Sequence, residues 1–151
     1  MEKNNGNTWD PSGAAAAHLA YLGDCVWEIL VRRALLRRGI PHPSEAALAY
    51  VTAAAQSDAI ERILPCLTEG EEDVYRRGRN CVHGNVPKRS TVAQYRRATG
   101  LEALFGYLDL MGDTARMEEL FALACPALAD APAGTDAHSE IKDDTAEEGL
   151  T

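Results

Sequence analysis

Apolar residues along this chain recur at spacings of three and four, the period of helices buried on one face. The pattern predicts a first helix capped by Ser12, running through Arg38 and stopping at Gly39, with Pro41 and Pro43 beyond. Ser44 caps a second, alanine-rich stretch, "EAALAYVTAAAQSDAIERIL", which Pro65 ends. Thr68 and Glu71 form a capping box that opens "EEDVYRRGRN", and Thr91 and Gln94 form another that opens "VAQYRRATGLEALFGYLDLM", which ends at Gly112. Asp113 caps a last helix, "TARMEELFALA", and the segment "CVHGNVPKRS", with Gly84 and Pro87, reads as a loop. No segment alternates with the period of a strand, and no apolar run is long enough to span a bilayer. The expected fold is a single all-α domain, a helical bundle.

Two of these helices carry an acid out of keeping with its surroundings. Projecting the first at about 100° per residue places Leu19, Leu22, Val26, Ile29, Leu30 and Leu36 on one stripe, the expected core face. Asp24 and Glu28 fall on the other side, among Tyr21, Trp27, Val31 and Leu35, so that side is expected to be covered as well. Glu28 has a partner one turn on in Arg32, and the pair reads as a structural salt bridge. Asp24 has no base one turn away in either direction, and a buried carboxylate must be paired, protonated or bound to a metal. On the fourth helix Leu101, Leu104, Phe105, Leu108 and Met111 form the core stripe. Glu102 projects from the opposite side beside Ala98, Thr99 and Gly106, small residues that admit another backbone or a ligand. Spacing alone leaves two readings of Asp24 and Glu102: a magnesium site completed by water and phosphate oxygens, or two surface acids.

Charge changes the picture once it is divided along the chain. The net charge of −8 is concentrated at the C-terminus, where residues 128–151 hold seven acids and one lysine. That segment is poor in apolar residues and is expected to be a disordered, solubilising tail. Between Asp73 and Glu102 the chain has seven basic residues and no acid: Arg76, Arg77, Arg79, Lys88, Arg89, Arg96 and Arg97. Such a run, with Asn80 inside it, suits phosphate contacts, and its few aromatics favour a duplex backbone over stacked single-stranded bases. The four cysteines lack metal-ligand spacing and read as reduced thiols, with Cys25 and Cys125 as small buried hydrophobes. The histidines, His18, His42, His83 and His138, show no ligand spacing either.

Three motifs in order carry a resemblance. "YLGDCVWEIL" resembles the signature helix of the ribonuclease III family, and "GLEALFGYLDL" is similar to its second catalytic helix. "RRGRN", "VPK" and "YRRATGLEAL" resemble the short form of that family, Mini-ribonuclease III, which lacks a double-stranded RNA-binding domain. The likeness covers about residues 14–125, leaving 1–13 as an N-terminal extension and 126–151 as the acidic tail. It implies a homodimeric, ribonuclease III-type endonuclease domain in which Asp24 and Glu102 are the catalytic carboxylates and the ligands of Mg²⁺. It also implies a duplex RNA substrate, held by Arg76, Arg77, Arg79, Asn80, Lys88, Arg96 and Arg97. The expected activity is hydrolysis that leaves 5′-phosphate and 3′-hydroxyl ends, serving maturation of precursor 23S ribosomal RNA in the cytoplasm, with a ribosomal protein presenting the RNA and no membrane involved. Where the longer enzymes carry two further acids, this chain has Ala17 and Thr99, and Ala54 stands where a lysine is expected. Ala17 and Thr99 suit the short form and leave more of the metal's coordination to water and RNA phosphates, whereas Ala54 is expected to weaken RNA contact slightly. A non-catalytic duplex RNA-binding module on the same scaffold is the second reading.

Overall fold

The chain is described by a computed structural model over residues 9–82 and 85–129. Its elements are helices α1 (Ala16–Arg37), α2 (Pro43–Val51), α3 (Ala53–Ile63), α4 (Glu69–Asn80), α5 (Val92–Leu110), α6 (Thr114–Ala124) and α7 (Pro126–Ala129), with 3₁₀ turns at Pro11–Gly13 and Leu64–Cys66. Among the described residues there is no strand, as the periodicity requires. The long α5 runs through the centre, with α1, α3 and α4 packed around it and α6 closing one end.

Trp27 anchors the core. It is fully buried, meets Phe105 edge-on at 5.0 Å and Phe121 at 5.3 Å, and donates its indole N–H to the carbonyl of Tyr50 at 2.8 Å. A buried indole needs such an acceptor, and this one ties α2 to α1. The buried face of α1 is therefore not the expected stripe alone. Leu19, Val26 and Leu30 are buried as expected, and so are Trp27, Val31 and Leu35 on the side expected to be covered as well, whereas Ile29 is 46% and Leu36 67% exposed. The apolar positions of α1 wrap nearly the whole helix, so periodicity could not choose between two arcs. The arc that buries the large indole is the one the fold uses. Met111 departs in the same way: it lies at the C-cap of α5, beyond the packed turns, and is exposed.

Local chemistry explains the ends. Ser12 does not cap α1; it sits in the 3₁₀ turn, where Asp10 accepts hydrogen bonds from its backbone N–H and its hydroxyl. The α1 helix starts at Ala16 without a side-chain cap. Pro43 occupies the first turn of α2, where a missing N–H costs nothing. The alanine-rich stretch is two helices because Thr52 is extended and its hydroxyl accepts from the Ala55 N–H at 3.3 Å. Thr91 and Gln94 make the full reciprocal box. Thr68 caps α4, but Glu71 does not return the bond: its two carboxylate oxygens accept from Nε and one terminal nitrogen of Arg116, at 3.0 and 3.1 Å, and Arg116 also reaches the Cys66 carbonyl. That clamp fastens α6 to α4 and accounts for a glutamate that is only 7% exposed.

Helix α7 carries the fold past residue 125, because Leu128 is buried in the main core. The remainder of the expected tail, residues 130–151, lies outside the described residues, as do most of the N-terminal extension and His83 and Gly84 of the basic loop. Cys125 is buried, but Cys25 is exposed on the outer face of α1, contrary to expectation, because it lies opposite the Trp27 arc; the four cysteines are free thiols.

Candidate active site

The geometry of the site begins with two glycines. A Cβ built on Gly23 would lie 1.6 Å from the backbone oxygen of Glu102, and one on Gly106 would lie 2.0 Å from the backbone oxygen of Leu19. Helices α1 and α5 thus touch backbone to backbone, an approach only residues without a side chain allow. The contact places the residue after Gly23, Asp24, and the residue four before Gly106, Glu102, on the wall of one cleft of about 300 Å³. Tyr95, Thr99 and Asn85 line it as well, and so does Ala17. The two positions where longer ribonucleases would carry further acids therefore border the cleft with a methyl group and a hydroxyl. Thr99 donates that hydroxyl to the Tyr95 carbonyl at 2.9 Å.

Asp24 is exposed and opens into the cleft, and Glu102 is largely buried behind it. Asp24 is not itself set into a packed surface: its apolar neighbours Trp27, Val31 and Leu35 are packed, and the carboxylate at the rim is open to the cleft. Burial, first, and the negative charge of Asp24, second, push the Glu102 carboxyl up to about 8, with the amide of Gln56 opposing the shift. At neutral pH the pair therefore shares its cleft with a proton on Glu102. A divalent cation relieves the same repulsion, and two hard carboxylate oxygens beside open cleft volume suit magnesium, which keeps several waters and takes few protein ligands. Among the described residues no cluster of three acidic, histidine or cysteine side chains offers a fuller cage.

A stability consequence follows from Glu102. Its folded-state value, about 8, lies above the 4.5 of the free group, so the folded protein holds the proton more tightly. Stability from this group is complete below the unfolded value and is lost as pH rises toward the folded one. Thermal melts in EDTA should show the midpoint falling from about pH 5 to about pH 8, and Glu102→Gln should flatten that slope. A slope identical in the two proteins would contradict the assignment.

The basic residues gather elsewhere. Arg79, Asn80, Arg96 and Arg97 line a second groove of about 380 Å³ with Tyr75 and Glu61, and it shares no lining residue with the acidic cleft. The Arg79 guanidinium lies 5.6 Å over the Tyr75 ring. Arg97 is already engaged, by Ser57 at 2.8 Å and Glu61 at 3.0 Å. Arg77 is spent on the fold: it pairs with Asp73 at 3.2 Å and donates to the carbonyls of Ser12 and Ala14, holding the N-terminal segment. Arg76 and Lys88 are exposed on α4 and the following loop. The expected Glu28–Arg32 bridge is present at 3.1 Å on the surface, away from this cleft. The residue that sequence reading passed over is Gln56, 2% exposed, whose one signal is a lone amide in a run of alanines.

Comparison with known proteins gives this geometry a lineage. A Ribonuclease III domain matches residues 17–113. The chain is 45% identical over 109 residues to "Mini-ribonuclease 3" of Symbiobacterium thermophilum, covering 70% of this chain and 84% of that protein. It is 39% identical over 116 residues to "Mini-ribonuclease 3" of Brevibacillus brevis, covering 75% and 87%. A crystal structure of a protein from Fusobacterium nucleatum superposes with a TM-score of 0.70 at 28% identity, over 78% of this chain and 97% of that one. With its motifs, its all-helical fold and these relatives in agreement, the chain belongs to the ribonuclease III family of endoribonucleases, among its Mini-ribonuclease 3 members.

Proposed function

We propose that this endoribonuclease cuts both strands of duplex RNA with Mg²⁺ held by Asp24 and Glu102, and that its substrate is the paired precursor of 23S ribosomal RNA. The observation that carries the reading is the pairing of these two carboxylates in one cleft by the Gly23–Gly106 crossing. The bound ion would supply Lewis-acid stabilisation of the charge that develops at the scissile phosphate. The chain's own contributions are positional. Asp24, at the rim, is open to the RNA backbone, and Glu102, behind it, keeps its proton until a cation replaces it. Water attacks the phosphorus, the bond to the 3′ oxygen breaks, and the ends are a 5′-phosphate and a 3′-hydroxyl. Arg79, Asn80 and Arg96 in their groove, with Arg76 and Lys88 on the exposed surface, are proposed to hold phosphates away from the cut, Arg77 and Arg97 being engaged within the fold.

A homodimer supplies the second cut. Tyr21, Cys25, Ile29 and Leu36 expose a mostly apolar outer face of α1, which supports a second copy packing there. No helix among the described residues is long and apolar enough to cross a membrane, and we place the work in the cytoplasm, with a ribosomal protein presenting the RNA. The deciding experiment is incubation of a labelled precursor 23S stem with purified protein, with and without Mg²⁺. Cuts on both strands that need the metal are expected. Salt-sensitive binding without cleavage at any magnesium concentration would instead mean a duplex-binding module, the second reading that Ala17 and Thr99 on the cleft wall leave open.

A further inference from the structure

Three polar or charged residues are buried among the described residues: Gln56, Ser57 and Glu71. Glu71 is accounted for by the Arg116 clamp. The other two are adjacent on α3, and α3 packs along α5. Ser57, 1% exposed, accepts a hydrogen bond from Arg97 of α5 at 2.8 Å. Gln56, 2% exposed, sets its side-chain amide against Glu102, five residues further along α5, where it opposes the upward shift that burial gives the carboxyl. An apolar residue at 56 would fill the same volume without the cost of desolvating an amide, so a structural role alone gives no reason for the glutamine. Its amide is one of the few polar groups in the core and it meets the carboxylate that the cleft uses.

Building on the metal site proposed above, we infer that Gln56 is a positioning residue: its buried amide holds the Glu102 carboxylate in the orientation that receives the cation. A carboxylate ligand on a helix keeps free rotation about its terminal bonds. A donor fixed in the core removes that freedom and leaves the remaining oxygen lone pairs directed into the cleft. Partners of this kind, one step removed from the metal, are worth on the order of 10–100-fold in metal affinity or activity. The neighbouring Ser57–Arg97 bond provides an internal control, because it braces the same two helices without touching Glu102.

The test compares Gln56→Met and Gln56→Leu, two near-isosteric apolar replacements, with Ser57→Ala and the unaltered chain. Two quantities are read: the Mg²⁺ concentration that gives half of the cation-induced rise in melting temperature, measured without RNA, and kcat and KM on duplex RNA. The Gln56 variants should need about tenfold more Mg²⁺, and kcat should fall by on the order of 10–100-fold with KM unchanged. Excess Mg²⁺ should restore part of kcat. Ser57→Ala should lower the melting temperature and leave the Mg²⁺ midpoint where it was. If the Gln56 variants keep the original midpoint and kcat, or lose only melting temperature as Ser57→Ala does, the inference is overturned while the proposed function stands. An unaltered chain that neither cleaves nor gains stability with Mg²⁺ overturns both.

Discussion

Asp24→Asn should abolish cleavage of duplex RNA while fold and RNA affinity survive. The substitution is nearly isosteric at an exposed position, so it disturbs no packing, and it removes one of the two carboxyl groups that line the cleft among the described residues. Loss of about 4 kcal/mol of transition-state stabilisation corresponds to a rate about 10³-fold lower. The measurement is single-turnover cleavage beside a filter-binding isotherm. A second readout comes from Glu102: removing the Asp24 charge removes one of the two causes that raise its carboxyl, so the metal-free protein should lose less stability toward pH 8. Cleavage within tenfold of the unaltered protein would refute the role assigned to Asp24.

The second large effect is mechanical. Gly23→Ala puts a methyl carbon where the Glu102 carbonyl already is, 1.6 Å away, and Gly106→Ala does the same against Leu19. Neither neighbour is a flexible side chain, so the helices must separate. Overpacking costs about 1–3 kcal/mol where side chains can adjust, and a backbone clash lies at or above the upper end. For a domain of this size about 3 kcal/mol lowers the melting temperature by roughly 10 °C. The separation also draws Asp24 away from Glu102, so Gly23→Ala should lose the Mg²⁺-induced stabilisation even below its own melting point. Differential scanning fluorimetry with and without Mg²⁺ measures both. An alanine variant with unchanged melting temperature would mean that the crossing is looser than it stands here.

The all-helical character was plain in the spacing of apolar residues, and Thr91, Gln94 and Asp113 announced their helix ends through side-chain chemistry that needs no tertiary partner. What tertiary contacts decide was not legible. Glu71 looked like half of a capping box because nothing local reveals an arginine 45 residues away that binds it more strongly. On α1 the exposure of Ile29 and Leu36 is not legible because apolar residues encircle the helix, and only the aromatic partners Phe105 and Phe121 make the Trp27 side the main one. For the cleft, "GD" and "GLEALFG" were readable as motifs, but the reason for their glycines, one backbone crossing that uses Gly23 and Gly106 together, exists only in three dimensions. Gln56 shows in the sequence only as a lone amide among alanines, and its neighbour across the helices exists only in the fold.

The internal engagements of Arg77 and Arg97 narrow the electrostatic footprint. Seven cations lie between Asp73 and Glu102, yet Arg77 is committed to Asp73 and two backbone carbonyls, and Arg97 to Glu61 and Ser57. An arginine already neutralised in the free protein displaces fewer condensed counterions when RNA arrives. Each phosphate it would have neutralised is worth about 0.9 in the logarithmic dependence of affinity on salt for a B-form duplex. The protein should therefore hold its RNA with a flatter salt response than its sequence charge suggests. Its grip would weaken less as ionic strength rises, and duplex shape would carry a larger share of recognition than charge.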